Sequence, residues 1–324
     1  MTDSDALRSS DRPGTLRGAQ ANLTGQPTPQ APSADHEHAG RRRLRAVESP
    51  AIRLKQISYA YESGDPVLVD VDLSLHRGEF VGIVGPSGCG KSTLLRIVAG
   101  LASPSSGEVV RHSNLDKRHS SVLSMVFQED TLLPWLDVEK NVTLHARLGS
   151  RQMRRLAAER GRSGLDEILH MVGLADSKHL YPYQLSGGMR RRVAFLASIA
   201  ANPYVMLLDE PFSAVDEPTR VSIHQDVFNV CRRMGTSVLL VTHDIAEAIS
   251  LCDVVVVLSA RPARVSRTYH LPFGDRRDMS TIRTDPRFLD YYSTLWQDLR
   301  EMVQPDHPQT ETDRPTPPDI SGVK

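Results

Sequence analysis

Cysteine, net charge and long apolar runs are all scarce in this 324-residue sequence, and each scarcity excludes a class of protein. The three cysteines, Cys89, Cys231 and Cys252, form no CxxC pair, so we expect a reducing cytosolic environment and neither a disulfide framework nor a metal site. Lys and Arg together number 39, as do Asp and Glu, and this balance argues against a nucleic-acid partner. No apolar run approaches the roughly 18–20 residues of a membrane-spanning helix, and the N-terminus lacks the apolar segment of a secretory signal.

Phe, Trp, Tyr and Ile are missing altogether from residues 1–49, which contain four prolines among small and polar residues. Such a segment buries too little apolar surface to offset the entropy cost of ordering, so a disordered N-terminal tail is predicted. The Pro-rich residues 304–324 are predicted to form a second disordered tail. The basic run at 41–45 is interpreted as a solvated linker, with a weak contact to anionic lipid as the alternative.

The stretch between the two tails carries strand-like and helical patterns in turn. Short continuous apolar runs occur at 79–84, 205–208, 237–241 and 254–258, separated by helical patterns. This arrangement is typical of an α/β fold in which a mostly parallel sheet is covered by helices on both faces. Alternating patterns at 52–57 and 67–75 predict further strands.

A glycine-rich loop follows the first of these apolar runs and precedes a helical pattern. It matches GxxxxGK[ST], a phosphate-binding pattern in which backbone N–H groups face phosphate oxygens. Lys91 is expected to hold the β and γ phosphates of a nucleotide, and the Ser92 hydroxyl to ligate Mg²⁺. Cys89 is interpreted as a small filler, with a redox switch as the alternative. The predicted nucleotide-binding residues of the loop are Gly85, Pro86, Ser87, Gly88, Cys89, Gly90, Lys91, Ser92 and the following Thr93.

Two acidic residues stand at the end of the apolar run 205–208. Ligands of open α/β sheets bind at the carboxyl ends of the strands, so both carboxylates are expected near the nucleotide. Asp209 is predicted to hold Mg²⁺, directly or through water. Glu210 is predicted to act as the general base that polarises the attacking water.

Further motifs in the same order resemble those of the ABC-transporter ATPases. Leu185 to Arg190 reads LSGGMR, which is similar to the family's signature motif, and it lies just before the Asp-Glu strand. Gln128 matches the Q-loop, the segment 213–216 matches the D-loop, and His243 matches the switch histidine. Tyr61 matches the aromatic residue that stacks on adenine, with Tyr59 as its local competitor. The resemblance covers about residues 52–260.

The resemblance implies an ABC ATPase fold of the P-loop NTPase class, with a mostly parallel sheet core, an antiparallel β subdomain and a helical signature subdomain. It implies an ATPase domain over 50–262, with the helical subdomain at about 130–195, and leaves 263–303 as a C-terminal helical extension. Two departures from the family pattern, Arg191 and Ala197, bear on local ion pairs of the signature helix and leave the chemistry untouched.

The resemblance also implies roles for the matched residues, with ATP and Mg²⁺ as cofactors. Gln128 is expected to reach Mg²⁺ or the lytic water, and His243 to donate to the γ-phosphate and orient that water beside Glu210. Two chains, as a homodimer or an ATPase heterodimer, are expected to enclose two ATP molecules head to tail. The resemblance implies that Ser186, Gly187 and Gly188 act on the γ-phosphate held by the partner chain. Asp216 of the D-loop is expected among the nucleotide-binding residues.

A narrower resemblance concerns the transported solute. The phrase QEDTLLPW at 128–135 is similar to that of the nitrate, sulfonate, taurine and bicarbonate importer ATPases, and LSARPAR at 258–264 agrees with it. This implies an integral membrane permease as partner, an extracytoplasmic solute-binding protein as an indirect one, and a peripheral location on the cytoplasmic face of the inner membrane. The apolar residues at 132–136 are expected to form part of a groove for a permease helix, or else to belong to the core of the helical subdomain.

Three alternatives remain open from the sequence: an importer ATPase for thiamine precursors, an exporter subunit, and an ABC ATPase outside transport. The last usually carries coiled-coil insertions or two cassettes, and neither is visible here.

The C-terminal extension offers one more pattern. Asp285 and Pro286 resemble a helix start, and the apolar side chains that follow are expected to pack on the ATPase domain or, alternatively, to meet a partner. These side chains are Phe288, Tyr292, Leu295, Trp296, Leu299 and Met302.

Overall fold

The computed structural model describes residues 50–62, 64–111, 123–126, 132–148, 165–200, 203–213 and 215–303. The predictions for the two tails and for Gln128 lie outside the described residues. Among the described residues, no helix combines the length and the apolar character that spanning a membrane would require.

A six-stranded sheet forms the centre of the fold. From one edge to the other, its strands are β5 (Leu123–Val126), β6 (Val205–Asp209), β7 (Ser237–Val241), β3 (Phe80–Val84), β8 (Val254–Leu258) and β9 (Val265–His270). Every neighbouring pair is parallel except β8 and β9, which are antiparallel. The predicted, mostly parallel sheet is therefore confirmed.

A separate antiparallel sheet consists of β1 (Ile52–Ala60), β2 (Pro66–Leu75) and β4 (Ser106–Arg111). β1 lies in the middle, between β2 and β4. In β2, buried residues alternate with exposed ones from Val71 to Leu75, because successive side chains of a strand point to opposite faces. The buried face packs in one core with the helix α1 (Lys91–Ala99), so this sheet supports the glycine-rich loop from one side.

Helices cover both faces of the central sheet. Along β3, Val81 and Ile83 belong to the core shared with the antiparallel sheet, whereas Phe80 and Val84 belong to a second core on the other face. Each strand is thus buried on both sides, which explains its continuous apolar run. The helices after α1 are α2 (Val138–Leu148), α3 with its described part at 165–171, α4 (Gly187–Ile199), α5 (Glu217–Met234), α6 (Ile245–Leu251) and α7 (Pro286–Val303).

The segment 263–303 contributes to the sheet and to the core. Its strand β9 pairs with β8, and Phe288 and Leu295 of α7 are buried in the second core. The helix start at Pro286 agrees with the sequence pattern. The apolar stripe divides, however, because Tyr292 and Trp296 are 38% and 57% exposed while their neighbours pack inward.

A buried ionic cluster joins this segment to the sheet. Asp253, which precedes β8, accepts hydrogen bonds from Arg232 at 2.5 Å and from Arg277 at 2.7 Å. The Arg277 side chain is 1% exposed and also donates to the carbonyls of Ser250 and Cys252 at 3.1 and 2.7 Å. Burial lowers the pKa of the Arg277 guanidinium, and the Asp253 charge opposes that shift.

We expect the Arg277→Ala substitution to lower the free energy of unfolding by about 3–5 kcal/mol, because it removes one of the two arginines that pair with Asp253 and the donor of the Ser250 and Cys252 carbonyls. Urea titration followed by circular dichroism measures this effect. The adjacent Arg276, which is exposed, provides the matched control, and Arg276→Ala should change the stability by less than about 0.5 kcal/mol. Equal stability of the two variants would show that the cluster does not anchor the segment.

Candidate nucleotide site

The glycine-rich loop runs from the end of β3 to the start of α1 as the sequence predicts. Gly90 has a φ of 118°, which an L side chain rarely adopts, and a Cβ there would lie 2.8 Å from Val67. The Lys91 side chain is folded back on the loop, donating from Nζ to the carbonyls of Gly85 at 2.9 Å and Pro86 at 3.0 Å. The loop therefore holds an ammonium group over its own concave backbone, where it can exchange carbonyl partners for phosphate oxygens.

Cys89 lies inside this loop and is buried. Burial raises the pKa of its thiol, against the opposing charge of Lys91. A thiol kept protonated in this way is a poor nucleophile, which agrees with the interpretation of Cys89 as a filler.

Ser92 and Asp209 meet although they are far apart in sequence. The Ser92 hydroxyl, in the first turn of α1, donates to Asp209 Oδ1 at 2.8 Å at the end of β6. Burial raises the pKa of Asp209, the Ser92 hydrogen bond lowers it, and the charge of Glu210 raises it further. A nearby divalent cation would favour the ionised carboxylate over the protonated form.

This oxygen pair fits Mg²⁺. A hydroxyl and a carboxylate are hard ligands, and Mg²⁺ in nucleotide sites takes its remaining ligands from phosphates and water. Among the described residues there is no group of three or more His, Cys, Asp or Glu side chains placed to hold a metal ion. Ser92 and Asp209 would thus supply two of the ligands of a cation that also contacts the nucleotide.

Glu210 and His243 also lie together. Glu210 Oε2 is 3.1 Å from His243 Nδ1, and the two side chains are 27% and 58% exposed. Glu210 has a φ of 45°, in the left-handed region that non-glycine residues seldom occupy, and its N–H donates to the Val241 carbonyl at 2.9 Å. This backbone turn places the carboxylate at the carboxyl edge of the sheet, one residue beyond Asp209.

Arg220, which the sequence reasoning missed, joins the loop of His243 to the segment before α5. It donates to Asp244 at 3.0 Å and to the Val215 carbonyl at 3.0 Å. Asp244 also caps α6 by accepting from the N–H of Ala246 at 2.8 Å. The pattern of Asp before a helical run could have identified the cap, but no local pattern identifies the partner arginine.

A buried pair, also missed, lies beneath the same loop. His224 and Glu247 are 1% and 3% exposed, with His224 Nε2 3.4 Å from Glu247 Oε1. Thr242, directly before His243, donates a short hydrogen bond to the other oxygen of Glu247. The residue before His243 is thus held from inside the core.

Tyr61 stands beside the start of α1. Its ring is 48% exposed, and its hydroxyl lies 3.4 Å from Thr93 Oγ1. Tyr59 makes an edge-to-face contact with Tyr61 at a centroid distance of 5.3 Å and packs against the core of the antiparallel sheet. Of the two tyrosines, Tyr61 is the one whose ring is accessible next to the glycine-rich loop.

The signature residues open a helix, as expected. Ser186 caps α4 by accepting from the N–H of Met189 at 3.3 Å and is exposed. A Cβ at Gly188 would lie 2.6 Å from Thr219 Cγ2, so a larger residue there would have to displace the Thr219 side chain at the start of α5. Asp216 caps α5 by accepting from the N–H of Thr219 at 3.2 Å.

The two departures of α4 from the family pattern both face inward. Ala197 is 8% exposed and Arg191 is 5% exposed. The neighbouring Arg192 of α4 forms an ion pair with α5, because its Nε lies 2.9 Å from Asp226 Oδ2. Burial raises the pKa of Asp226 to about 6, against the attraction of Arg192.

Comparison with known proteins places these features in a family. The family described as ABC transporter matches residues 68–213. The taurine import ATP-binding protein TauB of Yersinia pestis bv. Antiqua is 38% identical over 237 residues, covering 71% of this chain and 90% of that protein. An uncharacterised ABC transporter ATP-binding protein of Methanocaldococcus jannaschii is also 38% identical, over 73% of this chain and 85% of its own length.

A solved structure extends the likeness to three dimensions. It is the dimeric structure of a post-hydrolysis state of an ATP-binding cassette bound to ADP and Pi. That cassette is 32% identical to this chain, with a TM-score of 0.53, over 68% of this chain and 98% of its own length.

Proposed function

This chain belongs to the ABC transporter ATPases, and on that premise we propose that it is the ATP-hydrolysing subunit of an importer for a small anionic or zwitterionic solute, with taurine as the first candidate. The solute belongs to the group of nitrate, sulfonates, taurine and bicarbonate. The taurine import proteins among its relatives support this choice. The chain acts with a separate membrane permease at the cytoplasmic face of the inner membrane, and through that permease with a solute-binding protein.

In the proposed mechanism, each step uses a group at the carboxyl edge of the central sheet. The backbone of 85–90 and Lys91 bind the phosphates. Ser92 and Asp209 would hold Mg²⁺, which would neutralise charge on the phosphate oxygens. Glu210 accepts a proton from the attacking water. His243, 3.1 Å from Glu210, hydrogen-bonds the γ-phosphate and keeps that carboxylate in place. Tyr61 stacks on adenine, and Gln128 is proposed to reach Mg²⁺ or the lytic water.

The second chain completes the site. The first N–H groups of an α-helix have no acceptor in the preceding turn, and α4 has no acidic residue in its first turn, so its N-terminus attracts an anion. We propose that Ser186, Gly187 and Gly188 contact the γ-phosphate held by the partner chain, with Asp216 near the same interface. A homodimer or an ATPase heterodimer then encloses two ATP molecules.

One observation carries the proposal of a permease partner: the segment 132–136 presents an exposed tryptophan on a firmly held loop. Trp135 is 68% exposed. Asn141 is buried and donates to the carbonyls of Leu133 at 3.2 Å and Leu136 at 2.8 Å, while the Leu133 N–H donates to Asn141 Oδ1 at 2.8 Å. A rigid loop with a large apolar side chain at its tip suits the docking of a partner helix.

The test is co-purification of the chain with its permease and solute-binding protein, followed by identification of the solute. We expect taurine-loaded binding protein to stimulate ATPase activity of the assembled complex. Trp135→Ala should reduce that stimulation by about tenfold, the scale of an interface hot spot, and leave ATP binding unchanged. Leu101→Ala, which removes another exposed apolar side chain (66%) at the end of α1, is the matched control.

Other outcomes would separate the alternatives. A thiamine precursor on the binding protein would replace the proposed solute and keep the importer. Stimulation by a solute on the same side as ATP, without any binding protein, would indicate an exporter. Full stimulation of the Trp135→Ala complex would remove Trp135 from the permease interface.

A further inference from the structure

We propose that Arg261 is a positioning residue of the nucleotide site: its guanidinium holds one face of the Tyr61 ring and thereby presents the opposite face to the base. Arg261 lies 200 positions after Tyr61 in the sequence, and its Cζ is 5.8 Å from the centroid of the Tyr61 ring. The inference rests on the proposed stacking of adenine on Tyr61, and it adds a residue to that contact.

The loop that carries Arg261 is built into the site from two sides. It connects β8 to β9 and is attached to β2, because the Ala263 N–H donates to the Val67 carbonyl at 2.8 Å and the Val69 N–H donates to the Ala263 carbonyl at 3.0 Å. Leu258 is the last residue of β8, directly before this loop, and its carbonyl oxygen is 2.8 Å from the position that a Cβ of Gly85 would occupy. The loop thus lies against both the glycine-rich loop and the strand β2, near Tyr61.

Arg261 is fixed by a single described hydrogen bond, from Nε to the Pro66 carbonyl at 3.3 Å. Pro66 begins β2, shortly after Tyr61 in the sequence. A guanidinium has five N–H donors, and within the described residues only the Nε–H of Arg261 has a hydrogen-bond partner. The planar group therefore remains available to lie over the aromatic ring.

The chemistry favours this assignment over a solvated surface arginine. A cation within about 6 Å of a ring centroid is attracted by the negative face of the ring. Tyr61 is exposed, and among the described residues its ring is otherwise oriented by the edge of Tyr59 and by the hydroxyl contact to Thr93. A ring held in advance loses less conformational freedom when a base stacks on it, so binding becomes tighter.

The position of the contact predicts a specific signature. Because Arg261 acts at the base end of the site, its loss should weaken ATP and ADP by the same factor. A residue that contacts the γ-phosphate would weaken ATP more than ADP. This difference separates a role at the base from a role at the phosphates, and it does not depend on catalysis.

The experiment measures the equilibrium binding of fluorescent ATP and ADP analogues, labelled on the ribose, to the full chain. We expect Arg261→Met to raise both dissociation constants by about three- to tenfold, the range of a cation–π contact that is partly exposed. Arg261→Lys keeps a cation that the ring attracts but loses the planar guanidinium that lies on it, so its dissociation constants should fall between those of the wild type and of Arg261→Met. A merely structural role of the loop would not distinguish lysine from methionine.

Arg264 provides the matched control. It lies in the same loop and is exposed, but its guanidinium pairs with Asp70 at 3.2 Å instead of facing Tyr61. We expect Arg264→Met to bind both nucleotides as the wild type does. An equal loss in Arg261→Met and Arg264→Met would attribute the effect to the loop as a whole and overturn the inference.

The double variant with Tyr61→Leu tests whether Arg261 acts through the ring. If it does, Arg261→Met should add almost nothing once Tyr61 is leucine, since interacting residues are not additive. Fully additive losses, or a larger loss for ATP than for ADP, would also overturn the inference. Normal ATP binding by Tyr61→Leu alone would refute both the stacking role and this inference, whereas weak binding by Tyr61→Leu with normal binding by Arg261→Met would refute the inference alone.

Discussion

The Glu210→Gln variant is expected to bind ATP with nearly wild-type affinity and to lose ATP turnover by about a hundred- to ten-thousandfold, the range of general-base catalysis. Glutamine keeps the shape of the side chain and its contact with His243, but it does not accept the proton of the attacking water. Glu210 has a left-handed backbone, with a φ of 45°, and its carboxylate lies 3.1 Å from His243 Nδ1.

Phosphate release by the complex with the permease measures turnover, and binding of a fluorescent ATP analogue measures affinity. Glu108→Gln is the matched control, because Glu108 is an exposed glutamate that pairs with Lys55 on the antiparallel sheet, at 3.2 Å. Near-normal phosphate release by Glu210→Gln would show that Glu210 is not the general base and would make His243 the next candidate for that role.

In the central sheet, the strands that the sequence predicted are those buried on both sides. β3, β6, β7 and β8 appear as continuous apolar runs because each faces two cores. β4, β5 and β9 were not identified, and all three lie at the edge of a sheet. An edge strand such as β9, whose residues are half-buried or exposed, carries too little apolar pattern to be distinguished from a loop.

The candidate site divides in the same way. The glycine-rich loop and the Asp209-Glu210 pair were predictable because each function is concentrated in a few consecutive residues. The Arg220–Asp244 and Arg261–Tyr61 contacts join residues separated by 24 and 200 positions. Such partners depend on how strands and loops come together in space, and no local spacing encodes them.

The composite site leads to the largest structural effect that we expect. With hydrolysis blocked by Glu210→Gln, the chain should be mainly monomeric without nucleotide or with ADP, and dimeric with ATP. The γ-phosphate supplies the charge that the N-terminus of α4 can bind, and ADP lacks that charge. Light scattering under the three conditions measures the mass, which should double from 35.9 kDa only with ATP.

Adding Ser186→Arg to Glu210→Gln should abolish the ATP-dependent dimer and leave ATP binding to the isolated chain intact. Ser186 is exposed at the cap of α4, so the arginine is accommodated in the monomer, but it places bulk where the partner's phosphate must approach. Ser293→Arg, at an exposed serine of α7, is the control and should still dimerise. Lys91 and Ser92 bind the nucleotide from α1 of the same chain. A Ser186→Arg double variant that dimerises normally with ATP would mean that α4 does not take part in closing the site. Each chain would then have to complete its γ-phosphate contacts alone.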